Sequence, residues 1–548
     1  MKKRISALSA LLLALSLLTM TGCDSKNNSD STDNTSKPAS SISTSDVSNS
    51  SETEKSDTNT AVISIKTINQ AEDVMKFVLE PVSRHVAESI ASWAPDFVIP
   101  PEPYYEDCII SVRDKNGNET FSDAEGKVKV RGNWTSVYPK KPLKINFSKK
   151  QSMIGLNNNA EMKNWLLLAE YKDASMLRDK AAFSLAKGIY ESEGLYAADA
   201  DFAEVTVNGE YLGLYLLTEM QQINENRVNI TKAPKDYTGT DIGYLLEMDG
   251  YFTDESELQS FHVDYADNAA LVPYNGKTES KRTMKCLPAS ENDYKKDIGF
   301  TIVNTMNSKE QHDFIANFTN NVYKIMYEAA YNNKAYRFDE NYSSISEADD
   351  ISPQEAVENV VNVKSLADTY ILNEIVCDAD IYWSSFYMDA DFGTNGNKKL
   401  TFEAPWDFDS ALGNKDRCSD GTGFYAANIV PDADGGPDGN GEYNTINPWL
   451  AVLANTDWFQ DIVKTKWTEL YDNGIFTKVT QILKNDSDYY KAAFEKNYQK
   501  WDNIVHNEAF VNELSEGAAK CKTEEEAAQY LIDWLNSRIE FLNSEWHK

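Results

Sequence analysis

Acidic residues stand on both sides of a short predicted hairpin within residues 371–414. Asp378 and Asp380 follow an apolar stretch, and Asp407 and Asp409 follow the second predicted strand. Two strands joined by a turn form a hairpin, so the carboxylates before and after it are brought close together. Carboxylate oxygens are the ligands that hard divalent cations prefer. The spacing therefore predicts a divalent metal site at this end of the hairpin.

A second chemical feature is a concentration of cations between two predicted strands, 127–130 and 143–147. The loop that joins the strands holds Arg131, Lys140 and Lys141. The whole chain carries 53 Lys and Arg against 86 Asp and Glu, a formal charge of −33, so this basic loop is a local exception. Such a loop is suited to binding a polyphosphate. Lysines on a solvated edge strand explain the same pattern equally well, and the spacing alone leaves both interpretations open.

Composition indicates a globular protein and excludes several function classes. The chain has 548 residues, of which 41% are hydrophobic and 11% aromatic. Its strongly negative charge opposes binding to the phosphate backbone of a nucleic acid. The five histidines are isolated, and no HExxH pair points to a zinc hydrolase. No GxSxG motif is present either, which argues against a serine hydrolase of the α/β type.

The first 23 residues have the pattern of an export signal. Lys2, Lys3 and Arg4 give a positive start, and the apolar run that follows is short for a transmembrane helix. The run ends in small residues before Cys23, which is similar to a bacterial lipobox. We therefore expect residues 1–23 to be a lipoprotein signal, with Cys23 lipidated and the protein held on the outer face of the cell membrane. An ordinary cleaved signal with a chance cysteine is the alternative.

Residues 24–60 are predicted to be a disordered tether. They are Ser-, Thr- and Asn-rich with almost no apolar side chains. A segment of this kind cannot bury enough surface to offset the entropy of ordering it.

The number and spacing of the six cysteines predict no disulfide framework. The cysteines show no CxxC spacing, and five remain if Cys23 is lipidated. Pairing of Cys377 with Cys418 stays an open possibility.

The order of predicted elements indicates an α+β fold with a strand-rich N-terminal half and a helix-rich C-terminal half. Asn208-Gly209 between alternating apolar runs predicts a tight hairpin. Residues 364–376 have a helical pattern, and residues from 448 onward are predicted to be helical. We divide the ordered chain into an N-terminal extension, 61–104, and a main domain, 105–548. Residues 254–345 are predicted to hold an insertion.

A basic strand-loop-strand and paired carboxylates together suggest nucleoside triphosphate chemistry. Phosphoryl transfer needs positioning and charge neutralisation more than covalent chemistry. Cations neutralise the phosphates, carboxylates hold a metal, and a further carboxylate accepts a proton. The sequence has neither a Walker motif nor a kinase-type GxGxxG loop.

Six motifs in order resemble the spore-coat protein H (CotH) kinase family. The resemblance spans roughly residues 105–545. Its motifs are Arg131-Gly132-Asn133 with Tyr138 to Ile145, Trp165 to Ala169 with Leu177 to Lys180, Val207 to Tyr215, Gly243 to Glu247, Asn373-Glu374 through Asp380, and Pro405 to Asp409.

The resemblance implies a divergent protein-kinase-like, two-lobed fold and assigns roles to individual residues. Asp380 matches the catalytic base, and Asp407 matches the metal-binding aspartate. Asp409 and Asp378 would be further metal ligands, although Asp378 stands where the family commonly has Asn. The remaining roles concern ATP. Lys144 would contact the phosphates, with Lys141 as the alternative. The rest of the ATP site would include Arg131, Arg178, Glu247 and Glu219, and Glu219 would pair with the phosphate-binding lysine.

We therefore expect a metal-dependent Ser/Thr or Tyr protein kinase that uses ATP with Mg²⁺ or Mn²⁺. Its substrate would be a protein at the cell surface, and we expect a monomer that does not bind nucleic acid. A surface scaffold lipoprotein that keeps the fold without catalysis is the alternative. Transfer of AMP, or phosphorylation of a sugar, also remains open from the sequence.

Overall fold

The computed structural model describes residues 58–69, 75–274, 284–285, 298–415, 420–428 and 446–548. The predicted signal segment, most of the predicted tether and Cys418 lie outside the described residues.

Sixteen strands lie in the described part of the chain, and most fall in its first half. They are β1 Ala61–Thr67, β2 Glu106–Arg113, β3 Glu119–Val130, β4 Leu143–Gln151, β5 Met162–Leu168, β6 Ala200–Val207, β7 Glu210–Thr218, β8 Gly243–Asp249, β9 Ser260–Phe261, β10 Ala270–Leu271, β11 Met284–Lys285, β12 Gly299–Ile302, β13 Tyr336–Phe338, β14 Ile345–Glu347, β15 Phe386–Asp391 and β16 Leu400–Phe402.

Thirteen helices lie in the described residues, and the longer ones follow β12. They are α1 Lys76–Leu79, α2 Arg84–Trp93, α3 Leu156–Asn159, α4 Arg178–Tyr190, α5 Tyr265–Asn268, α6 Lys309–Asn332, α7 Pro353–Val360, α8 Val363–Val376, α9 Pro448–Ala451, α10 Asp457–Asp472, α11 Ile475–Tyr489, α12 Lys491–Lys500 and α13 Glu524–Trp546. The predicted mixed α+β class, strand-rich first and helical second, is confirmed. The kinase-like, two-lobed fold stays a prediction.

Seven strands of the N-terminal half close into a barrel in the order β1-β2-β3-β4-β5-β7-β6. Alternation along the strands points one set of apolar side chains inward, among them Val128, Leu143 and Ile145, which have no exposed surface. The turn at Asn208-Gly209 joins β6 to β7 as predicted. Both residues have positive φ, 51° and 87°, which is why this pair suits so tight a turn.

The predicted boundary at residue 105 does not separate two structural units. Strand β1 pairs in parallel with β6 and antiparallel with β2, and this closes the barrel. Ile63 and Ile65 of β1 are fully buried in the barrel interior. The segment 61–104, predicted to be an extension, is therefore an integral part of the fold.

A second sheet, with strand order β16-β15-β8-β12-β9, lies among the helices. Strands β9 and β12 belong to the predicted insertion 254–345, and so does α6. Phe318 and Val322 of α6 are fully buried in the same core as the sheet. The described part of 254–345 is thus built into the core and is not an appended segment.

Helix α8 runs through this core and ends at the residues predicted to do chemistry. Of its 14 residues 13 are buried, polar ones such as Asp368 and Glu374 among them, so protein surrounds the helix on every side. Cys377 takes a left-handed conformation, φ 49°, and ends the helix. The chain then turns directly into Asp378 and Asp380.

Candidate active site

A cleft of about 690 Å³ is lined in part by the loop between β3 and β4. Its walls come mainly from that loop, the segment after β5, the end of β8, the segments on either side of the β15–β16 hairpin, and residues 509–513. Three of the predicted aspartates, Asp380, Asp407 and Asp409, line it together. The hairpin thus places carboxylates from before and after it in one cleft.

Packing of the flanking aromatic residues presents Asp407 to the cleft. The rings of Trp406 and Phe408 lie 5.3 and 5.9 Å from the ring of Phe183, between centroids, and both residues are buried. Asp407 between them has φ 68° and an exposed side chain. The backbone N–H of Phe408 donates to Asp179 Oδ1 at 2.9 Å, which helps to hold the segment in this conformation.

Asp407 lies in a strongly acidic environment. Enclosure by the cleft walls raises the pKa of Asp407 to about 7, and the charges of Asp409 and Asp380 act in the same direction. Arg131 and Lys172 oppose this shift. A site of this kind favours a cation beside the carboxylates.

Asp380 follows α8 within a tight turn. Its backbone N–H donates to Asp378 Oδ1 at 3.0 Å, and its backbone oxygen accepts from Trp383 N at 2.7 Å. Asp378 is 3% exposed and does not line the cleft. As placed here, Asp378 shapes the turn and does not face a metal in the cleft.

Lys172 and two further buried carboxyl groups complete the floor of the cleft. Lys172 Nζ lies 3.2 Å from Asp409 Oδ1. Behind them, burial raises the pKa of Glu170 well above its ordinary range and raises that of Asp179 to about 7. Sequence reasoning gave no role to Lys172 or Glu170. The signal available was a run of charged residues, Glu170 to Asp173, directly after a buried strand.

A second hollow of about 530 Å³ adjoins the cleft and holds the predicted phosphate lysine, Lys144. Arg131, Glu247 and Trp406 line both hollows, so the two are continuous. Lys144 lies directly opposite Lys129 across the β3–β4 pair. Burial lowers the pKa of Lys144, and the positive charges of Lys129 and Arg131 lower it further.

Like charges directly opposite each other destabilise a sheet. Lys129, Arg131 and Lys144 therefore make a basic surface that suits an anionic ligand. Arg131 also contacts the ring of Trp406, with its Cζ 5.8 Å from the ring centroid. Apolar and amide side chains complete the second hollow, among them Leu166, Met220, Gln221 and Val303.

Glu247 stands between the two hollows at the end of β8. Its Oε1 accepts from Ser385 N at 3.2 Å. Burial raises the pKa of Glu247 to about 8, and Asp249 adds to the shift. Of the predicted ATP residues, Arg131, Lys144 and Glu247 therefore line the joined hollows.

The structure places three other predicted ATP residues outside both hollows. Lys141 is buried and donates to the backbone oxygen of Ser136. Arg178 is 1% exposed and pairs with Asp173, because it begins α4 inside the core. Neither side chain lines either hollow.

Glu219 also has a different partner from the one predicted. Its Oε1 lies 3.1 Å from Nε of Arg227, and both side chains are almost fully buried. The predicted pairing of Glu219 with the strand lysine is therefore wrong, since a nearer arginine satisfies it.

Within the described residues, no group of three or more His, Cys, Asp or Glu side chains is arranged to hold a metal ion. No helix in the described part of the chain is both long and apolar enough to cross a membrane.

Comparison with known proteins relates this sequence to a family. A family model described as CotH kinase protein matches residues 128–542, well over half of the chain. The match includes every cleft-lining aspartate named above. No curated protein matches the chain.

Proposed function

The chain belongs to the CotH kinase protein family, and from this premise we propose that it transfers the γ-phosphoryl group of ATP to a hydroxyl of a protein substrate, on Ser, Thr or Tyr. One observation carries the proposal: Asp380 and Asp407 line a single cleft that opens into a hollow carrying Lys144 and Arg131. Carboxylates on one side and cations on the other are what phosphoryl transfer requires.

In this proposal ATP spans both hollows. The base and ribose lie against Leu166, Met220 and Val303, since these side chains give the second hollow its apolar wall. The phosphates then pass Lys144 and Arg131 toward Asp407. The continuity of the hollows at Arg131 supports this path.

The chemical step assigns the proton to Asp380. The acceptor hydroxyl oxygen forms a bond to the γ-phosphorus while the bond from that phosphorus to the bridging oxygen of ADP breaks. ADP leaves with the electron pair of the broken bond, and the carboxylate of Asp380 accepts the hydroxyl proton.

Carboxylates of the cleft suit a divalent cation, Mg²⁺ or Mn²⁺. Mg²⁺ is usually bound by one or two carboxylates together with water and substrate phosphates, and Asp407 and Asp409 offer such a pair. When bound, the metal would neutralise phosphate charge. The raised pKa of Asp407 among acidic neighbours supports the fit, because those carboxylates lack enough positive charge. Asp378 is left out of this set because it is buried outside the cleft.

The experiment is transfer of label from γ-labelled ATP, with Mg²⁺ or Mn²⁺, to the protein itself and to a generic protein acceptor. We compare the wild type with Asp380→Asn and Asp407→Asn, which keep the side-chain shape. Asp533→Asn, at an exposed position of α13, is the matched control. Loss of transfer by about 100-fold or more in both cleft variants, with the control active, is expected.

Other outcomes separate the alternatives. Transfer unaffected by either cleft variant would contradict the proposal. Transfer from α-labelled but not γ-labelled ATP would indicate a nucleotidyl transferase. A wild type that binds no ATP in a thermal-shift assay would favour the scaffold alternative.

We also propose that the protein is exported and anchored by a lipid on Cys23, and that it acts as a monomer on proteins at the cell surface. The lipobox-like sequence before Cys23 supports this. Cys23→Ala should move the protein from the membrane fraction to the medium and abolish incorporation of a labelled fatty acid. Retention of Cys23→Ala in the membrane fraction would contradict the anchor.

A further inference from the structure

Lys172 is the cation most deeply enclosed in the cleft. It follows β5, lines the cleft floor and is 6% exposed. The other cations on the described cleft wall, Arg131 and Lys415, belong to different segments. The backbone oxygen of Lys172 accepts from Asn414 Nδ2 at 3.1 Å, which fixes the base of the side chain.

The ammonium group of Lys172 keeps donor capacity after its protein contacts are made. It donates to Asp409 Oδ1 at 3.2 Å and to Ser410 Oγ. An ammonium has three N–H donors, so one remains for a ligand. Its ion pair with Asp409 places this cation at the floor of the cleft.

Both carboxylates that define the proposed reaction act on Lys172. The charges of Asp380 and Asp407 each interact with it. A phosphoryl group in transfer between an acceptor beside Asp380 and a nucleotide beside Asp407 would occupy the space between them. Lys172 lines the same cleft as both carboxylates.

We propose that Lys172 donates a hydrogen bond to an oxygen of the transferred γ-phosphoryl group. This rests on the proposed function and adds to it a catalytic cation outside the motifs of the family resemblance. Lys144, in the adjoining hollow, then serves phosphates nearer the nucleoside. Each lysine thus contacts a different part of the triphosphate, Lys172 the γ-phosphoryl group and Lys144 the phosphates nearer the nucleoside.

A purely structural role would leave a different signature. If Lys172 only holds the segment of Asp409 and Ser410, its removal would weaken binding of every nucleotide alike, or only lower stability. A contact to the γ-phosphate weakens binding only of nucleotides that have that phosphate. The comparison of a non-hydrolysable ATP analogue with ADP separates the two roles.

We would measure the affinities of the full chain for both nucleotides by calorimetry with Mg²⁺. In Lys172→Met, affinity for the ATP analogue should fall by about tenfold or more, because charge-assisted hydrogen bonds are stronger than neutral ones. Affinity for ADP should stay within about twofold. Lys144→Met should weaken both, and Lys478→Met, a matched change at an exposed position of α11, should weaken neither.

Several results would overturn the inference. An equal loss for both nucleotides in Lys172→Met would assign a structural role. The same loss of affinity for the ATP analogue in Lys478→Met would show that the effect is not specific to the cleft. If Lys172→Met does not fold, Lys172→Gln is compared for the same two nucleotides, because it removes the charge and keeps a polar group beside Asp409 and Ser410. A loss confined to the ATP analogue is again expected, and an equal loss for both nucleotides, or no loss, would refute the contact. A wild type that binds neither nucleotide would instead refute the proposed function itself.

Discussion

The buried ion pair between Glu374 and Arg538 ties α8, the helix that precedes the turn of Asp380, to the C-terminal helix α13. Arg538 Nη2 lies 2.8 Å from Glu374 Oε2, and Arg538 Nε donates to the backbone oxygen of Glu374 at 2.6 Å. Neither residue has any exposed surface. Glu374 also accepts from the backbone N–H groups of Tyr425 and Ala426, at 2.9 and 3.0 Å. All its oxygens are therefore committed to structure.

Arg538→Met should be strongly destabilising. It leaves a carboxylate in the core without its counter-charge, and breaking a buried pair in this way costs about 3–5 kcal/mol. The total free energy of unfolding of a typical domain is about 5–15 kcal/mol, so the loss is a large fraction of it. Because Glu374 lies on the last turn of α8, we also expect Asp380 to lose its fixed position and activity to fall.

Urea unfolding, followed by tryptophan fluorescence at pH 7, measures the effect. The matched control is Arg337→Met, whose ion pair with Asp350 is exposed and should contribute less than about 1 kcal/mol. The double variant Arg538→Met with Glu374→Gln should recover part of the loss, since the buried charge is gone. A cost for Arg538→Met below about 1 kcal/mol would refute the reasoning, and so would a double variant no more stable than the single one.

Three further predictions concern stability. The pKa of Glu247, raised to about 8, means that the folded protein keeps a proton that the unfolded chain releases above about pH 4.3. The wild type therefore loses stability as pH rises from about 4 to 8. Measured by urea titration, Glu247→Gln should be roughly 1–3 kcal/mol more stable than the wild type at pH 7 and equally stable at pH 4. A difference in unfolding free energy that does not change with pH would contradict this. Trp449→Ala should cost about 3–5 kcal/mol by urea unfolding, because the fully buried ring leaves a cavity, whereas Trp134→Ala, at an exposed ring, should cost far less. Deleting residues through Thr67 should open the barrel and give aggregation visible by light scattering, and a soluble monomer with native circular dichroism would show that β1 is dispensable.

Local patterns predicted the elements well where the residues themselves determine the conformation. The Asn208-Gly209 hairpin formed as expected because both residues accept positive φ. The strands on either side of the basic loop were also predicted, since their apolar residues alternate, and so was helix α8. The clustering of Asp380 with Asp407 and Asp409 followed from the hairpin that separates them.

Ion pairing could not be predicted, because it depends on which groups meet in three dimensions. Arg178 was expected at a phosphate, but it pairs with Asp173 in the core. Glu219 was expected beside a lysine, but Arg227 lies nearer. Lys172 has no periodic or motif signal, and only the folded chain places it under Asp409.

Closure of the barrel by its first strand has a consequence for the order of folding. Ile63 of β1 lies opposite Val205 of β6, so the pairing that completes the barrel spans a long stretch of chain. Contacts so distant in sequence are slow to form, since the entropy of closing the loop must be lost first. The strand synthesised first must therefore wait for β6 to gain its second neighbour, and β5 must wait for β7. Until both β6 and β7 have emerged, the barrel exists as an open sheet whose edges can pair with another chain, and that interval is when the protein most needs protection from aggregation.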